Sequence, residues 1–143
     1  LYQYGLVLVD QGRSAEARAN LEAAAGADPT FGPPHFHAGQ LARLAGDEPN
    51  AEAHFRAFLA ARDRPVGMEG WVLYGLGERE AAEVRFRRAV AVDRNNRWAW
   101  EGLAAIAGDR ADPRAETEAL RRILAITPGH PAATLRLAEL GYE

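Results

Sequence analysis

The sequence predicts an all-α chain of antiparallel helix pairs, and three observations predict it. First, short turn signals recur: Gly12, Gly46, Gly77 and Gly108 stand 34, 31 and 31 residues apart, a period that marks stacked supersecondary units. Second, after each turn a small residue is followed four positions on by a large apolar one. These pairs are Ala17 with Leu21, Ala51 with Phe55 and Ala82 with Phe86, and less cleanly Glu116 with Leu120. Third, "RFRRAVAV" and "ALRRILAI" place apolar residues at three-to-four spacing with Arg between them, which is the amphipathic helix period. Strand-like alternation is sustained nowhere.

Four repeats follow, each a helix A, a turn and a helix B. The first, residues 1–31, carries Gly5 in helix A, turns at Gly12 and ends near Asp28-Pro29. The second, 32–63, carries Gly39 and turns at Gly46, with Arg64-Pro65 beyond it. The third, 64–94, has a shortened helix A near Gly67 to Gly70 and turns at Gly77. The fourth, 95–128, carries Gly102 and turns at Gly108, and Asp112-Pro113 supplies a cap and a first-turn proline. "TPGHP" then stops one helix and starts a terminal helix spanning 131–143, so nine helices are expected.

Composition bounds the rest. The 143 residues are 48% hydrophobic and 26% charged, enough for a core and a solvated surface. The net charge of −3 gives no general reason to expect nucleic acid. The chain has no Lys, so all 17 basic residues are Arg, which reads as coding bias. Cys is absent, excluding disulfides and thiolate metal sites. No apolar run approaches the roughly 20 residues that span a bilayer, and a cytoplasmic location is expected. The opening at Leu1 lacks a signal-peptide pattern, and the expectation is that the sequence starts inside a longer gene product.

The order large residue, small residue four later, turn glycine, then Ala, an aromatic, Ala and Pro resembles the tetratricopeptide repeat family. Gly5, Gly39, Gly70 and Gly102 match its small site in helix A, and Ala17, Ala51 and Ala82 match the partner in helix B. Phe55 and Phe86 match its aromatic, Trp98 its large residue, and Pro29, Pro65 and Pro128 its inter-repeat proline, which Arg94 replaces once. The resemblance implies a right-handed α-solenoid with the A helices lining a concave groove. It further implies binding of a protein or peptide, without cofactor or catalysis.

Residues three and four apart on each A helix share a face. The expected partner-binding set is Tyr2, Leu6, Phe36, Gln40, Arg43, Trp71, Tyr74 and Leu103, with Ala99 and Ile106 beside Leu103. Aromatic residues and Arg are the types enriched at interface anchors, and Arg43 is expected to hold a carboxylate. Some members of the family clamp a chaperone C-terminus through Lys and Asn. The matching positions here are Tyr2, Leu6, Phe36, Gln40, Gly67 and Trp71, so that ligand is not expected.

Sharper chemistry finds little support. His35 and His37 lie two apart and point to different helix faces, against a shared metal ion. His54 has no acidic partner at ligand spacing, and His130 is expected in solvent. Ser14, the only serine, opens a helix where capping explains it. The run Arg85, Arg87, Arg88, Arg94 and Arg97 is short, interleaved with Glu80, Glu83 and Asp93, and lacks stacking aromatics for a nucleic acid. Two rivals to peptide binding stand. One is self-association through the terminal helices, using Leu135, Leu137 and Leu140 with Arg136 and Glu139 toward water. The other is a regulatory role inside a larger enzyme.

Overall fold

The computed structural model describes residues 1–142, which form nine helices joined by short turns. They are α1 Tyr2–Asp10, α2 Ser14–Ala27, α3 Pro33–Leu44, α4 Glu48–Ala60, α5 Val66–Gly75, α6 Arg79–Val92, α7 Arg97–Asp109, α8 Pro113–Ile126 and α9 Pro131–Glu139. Among the described residues the only extended pairing is a bridge between Phe31 and Asp63. The described residues are therefore an all-α helical repeat, with α1–α2, α3–α4 and α7–α8 as packed pairs and α9 as the terminal helix. Glu143, the end of the expected 131–143 helix, lies outside the described residues. The chain clusters into two compact units, Leu1–Gly77 and Glu78–Glu143, dividing the third repeat after its turn glycine.

In the N-terminal unit each pair closes through the same turn. Gly12 and Gly46 take left-handed φ values of 73° and 79°, and the next N–H reaches back over the turn, Arg13 to Leu8 O at 2.9 Å and Asp47 to Ala42 O at 2.8 Å. This closure satisfies carbonyls that a helix end leaves open. Small residues then let the helices approach: a Cβ on Gly39 would stand 2.6 Å from the Phe55 ring. The core runs from Leu8, Leu21 and Leu41 to Phe36, Phe55, Phe58 and Val72. The third helix A is short as expected, ten residues in α5 against twelve in α3.

The C-terminal unit corrects the register of the fourth repeat. Gly108 lies within α7, and the left-handed turn residue is Ala111, φ 53°. Asp112 N–H bonds Ala107 O at 3.0 Å, the closure seen at the other turns. Turn residues 12, 46, 77 and 111 are thus spaced 34, 31 and 34. Seven residues before Ala111 stands Ala104, which is the true counterpart of Gly5, Gly39 and Gly70, and the large residue four earlier is Trp100 rather than Trp98. Gly102 instead receives Phe86 of α6, whose ring would lie 2.3 Å from an added Cβ. Ala104, Ala119, Leu120, Ile123, Ala133 and Leu137 form this unit's core.

Ends and caps follow the sequence with two exceptions. Asp47 and Asp112 accept the N–H groups of Asn50 and Ala115 as helix caps. Ser14 is the first residue of α2 and not its cap, which is Arg13 without a side-chain bond. His130 is half-buried rather than in open solvent. Its Nδ1 accepts the Ala133 N–H at 3.2 Å, so its Nε2–H points at Glu101 Oε1, 3.1 Å away.

Candidate functional site

In the N-terminal unit α1, α3 and α5 are the A helices. Relative to each left-handed turn residue, one face repeats at ten, six and three residues before it: Tyr2, Leu6 and Val9; Phe36, Gln40 and Arg43; Gly67, Trp71 and Tyr74. Most of the sequence-derived set falls on this face, with unequal access to solvent.

Tyr2 is half-buried. Its ring meets Phe31 edge-on at 5.5 Å and His37 of α3 at 5.8 Å, so α1 and α3 share an aromatic seam. Burial pushes the Tyr2 phenol above its ordinary value and holds the His37 imidazole below its own. Leu6 is half-buried and Gln40 exposed. Trp71 leans on the core, and its ring meets Tyr74 edge-on at 5.6 Å. Arg43 is not a waiting carboxylate receptor. Its guanidinium forks onto Glu48, Nε to Oε1 at 3.1 Å and Nη2 to Oε2 at 3.0 Å, and lies 5.1 Å over the Phe55 ring.

Two expected residues are not offered to solvent by that face. Phe36 is 1% exposed. After α4 the chain runs extended, and Asp63 pairs with the α2–α3 loop, its N–H to Thr30 O at 3.0 Å and Gly32 N–H to its O at 2.8 Å. That pairing draws Phe58 to 6.3 Å from Phe36 and seals the ring into the core. Leu103 belongs to the C-terminal unit, where the corrected register places Glu101, Ala105 and Gly108 on the repeating face. Leu103 points the other way, into a cleft between α6 and α8, while Ala99 and Ile106 are core.

The sequence missed Leu44. It ends α3 two residues before the turn glycine and is 83% exposed, beside the Gln40 and Arg43 row. A large apolar residue so close to a turn is the signal that could have found it. Of the terminal leucines, only Leu135 is exposed, at 62%. Leu137 and Leu140 pack into the C-terminal core, and Arg136 reaches Glu116 as well as Glu139.

The histidines are engaged. His35 Nδ1 lies 3.3 Å from His54 Nδ1, and His54 Nε2 lies 3.6 Å from Glu22, an acidic partner from a different helix. Burial first, and the His54 charge second, hold His35 below its ordinary value. Among the described residues no three His, Cys, Asp or Glu side chains form a metal-holding group. No described helix is long and apolar enough to cross a membrane. In the arginine run, Arg87 pairs with Glu83 at 3.7 Å and Arg97 with Glu101 at 3.6 Å.

Fold and turn chemistry together define a helical-repeat protein of paired antiparallel helices. A family model described as Tetratricopeptide repeat matches residues 1–31, so the first pair is such a repeat, and the chain as a whole has the tetratricopeptide fold. Solved structures agree on that fold at low identity. Over 97% of the chain it superposes on pilF of Pseudomonas aeruginosa at 22% identity and TM-score 0.75, spanning 65% of that protein. Over 97% it also superposes on YrrB, described as a TPR protein with an unusual peptide-binding site, at 18% identity and TM-score 0.61, spanning 73% of that protein. A third match, to the APC/C hetero-tetramer Cut9–Hcn1, covers 96% of the chain and 27% of that structure's chain, at 16% identity and TM-score 0.66. No curated protein matches the sequence.

Proposed function

We propose that the chain is a non-catalytic interaction module that binds an extended peptide along the A-helix face of its N-terminal unit. The carrying observation is Leu44, exposed beside Gln40 and flanked along the repeating face by Leu6, Val9 and the Trp71–Tyr74 pair. Helices whose interior faces are already packed leave such a row for a partner, and aromatic and aliphatic anchors with few rotamers suit that use. The likeness to YrrB supports a peptide as the partner.

The test is peptide display. Peptides selected on the parent protein are measured by fluorescence anisotropy against parent and a Gln40→Ala, Leu44→Asp double variant. Both changes are on exposed side chains, and circular dichroism is expected to stay unchanged. Removing one apolar anchor and one hydrogen-bonding amide predicts affinity weaker by about tenfold or more. Equal binding by both proteins would move the site off this face, and failure to select any peptide would remove the reading.

A further inference from the structure

Two repeat junctions of this chain, one in each unit, are built on the same plan but finished with opposite chemistry. In the N-terminal unit the space between α2 and α4, outside α3, is filled by a polar chain. Arg18 donates to Asp47 Oδ2 at 2.6 Å and to Glu22 Oε1 at 2.8 Å. Glu22 stands by His54, and His54 meets His35. Counting from the left-handed turn residues gives the counterparts in the C-terminal unit. Arg18 becomes Glu83, Glu22 becomes Arg87, Asp47 becomes Asp112, His54 becomes Ala119 and His35 becomes Trp100.

The exchange opens the second junction. Glu83 and Asp112 carry the same charge and cannot bridge α6 to α8 as Arg18 and Asp47 bridge α2 to α4. Ala119 leaves empty the space an imidazole takes in the other unit. What remains is a cleft of roughly 620 Å³ between α6 and α8, floored by Trp100, Leu103, Ala107 and Ala119, within the size range of ligand sites. Two contacts fix the orientation of the floor's indole: the Trp100 N–H donates to Arg94 O at 2.8 Å, and the Arg122 guanidinium lies 5.8 Å over its ring.

Charge chooses the occupant. On the α6 side the cleft carries Arg87 and Arg94, with Arg110 from the end of α7. Arg110 is held by Glu83 at 2.6 Å, and Arg87 shares the same carboxylate at 3.7 Å. Arg94 has no ion-pair partner among the described residues, so cationic capacity at this rim is unspent. The opposite side carries Asp112 and Glu118, which repel a second negative group and disfavour a polyanion such as nucleic acid. We propose that this cleft is a second binding site, separate from the A-helix face. It takes a peptide segment that seats a branched aliphatic side chain on Leu103, Ala107 and Ala119 and sets the carboxylate of the adjacent residue on Arg94 and Arg87.

The test uses the full chain, isotope-labelled, titrated with three capped tripeptides: acetyl-Gly-Leu-Asp-amide, acetyl-Gly-Leu-Lys-amide and acetyl-Gly-Ser-Asp-amide. The Leu-Asp peptide is expected to shift the Trp100 indole N–H and the Ala107 and Ala119 amides saturably, more tightly than either control. Arg94→Glu, on the exposed rim, is expected to weaken it by about tenfold, as loss of a charge-assisted contact does, and to reverse the preference toward the Leu-Lys peptide. Ala119→His, which restores the side chain found in the other unit, is expected to abolish the shifts. The spectra themselves report whether each variant is folded, and Arg94→Glu carries the test alone if Ala119→His is not. Absent shifts, equal response to the Lys peptide, or unchanged binding by folded Arg94→Glu would overturn the proposal. The Gln40→Ala, Leu44→Asp protein is expected to bind this tripeptide like the parent, so failure of either site is seen separately.

Discussion

Glu116 sits five residues past its turn residue, where the other repeats carry Ala17, Ala51 and Ala82. It is 6% exposed, and Arg136 of α9 forks onto it, Nε to Oε2 at 2.6 Å and Nη2 to Oε1 at 3.0 Å. That pair raises the hold of Arg136 on its proton, chiefly through the Glu116 bond and next through Glu139. The two partners differ in what they become alone. Arg136→Ala strands a carboxylate in the core, at a cost of about 1–3 kcal/mol for a buried acceptor left unsatisfied. Glu116→Ala leaves an arginine that reaches water and installs the residue the other repeats use. Urea unfolding is therefore expected to rank Arg136→Ala below Glu116→Ala, with the double variant recovering most of the loss. Additive losses would contradict the asymmetry. The sequence marks Glu116 as a poor match but hides the reason, because its partner lies twenty residues on in another helix. Phe36 fails similarly: its spacing fits the A-helix face, yet the Asp63 pairing that buries it involves a loop two helices away.

At the scale of elements, the nine helices of the described residues and the pairs α1–α2, α3–α4 and α7–α8 were legible from glycine spacing, small–large pairs and caps. The fourth turn was not. Gly108 resembles a turn glycine because Asp109 and Arg110 follow it, while the residue that turns, Ala111, carries no outward sign. A left-handed alanine is strained by about 1–2 kcal/mol, because its Cβ crowds the following carbonyl. Glycine escapes the clash and gives back part of the gain as entropy of the unfolded chain. Ala111→Gly is expected to stabilise the chain by about 0.5–1 kcal/mol in urea titration, against a loss of about 1 kcal/mol for Gly12→Ala, whose φ is 73°. Destabilisation by Ala111→Gly would place the turn elsewhere. Leu103 lies two residues before Ala105, which holds its expected place on the repeating face, and two residues at roughly 100° each carry a side chain to the opposite side of the helix. The same turn recurs after α9, where Gly141 has φ 90° and Tyr142 N–H bonds Leu137 O at 2.8 Å.

Across the whole molecule the titratable groups are unevenly shared. The N-terminal unit holds His35, His37 and His54, and the C-terminal unit only His130. Burial holds His35 and His37 below their ordinary value of 6.5, with the His54 charge adding to the effect at His35. The unfolded chain therefore binds protons first. Stability from these residues is full above 6.5 and falls as the pH drops below it toward the folded values. Repeat chains open locally because each helix pair draws its support from its neighbours. Hydrogen exchange at about pH 5.5, corrected for intrinsic rate and compared with neutral pH, is thus expected to lose protection in α3 and α4 while α7 and α8 keep theirs. His37→Phe retains the aromatic seam against Tyr2 without a titrating nitrogen, and is expected to remove part of that loss. A uniform change across all helices would show that acid acts on the chain's charge at large, not on the imidazoles buried at this junction.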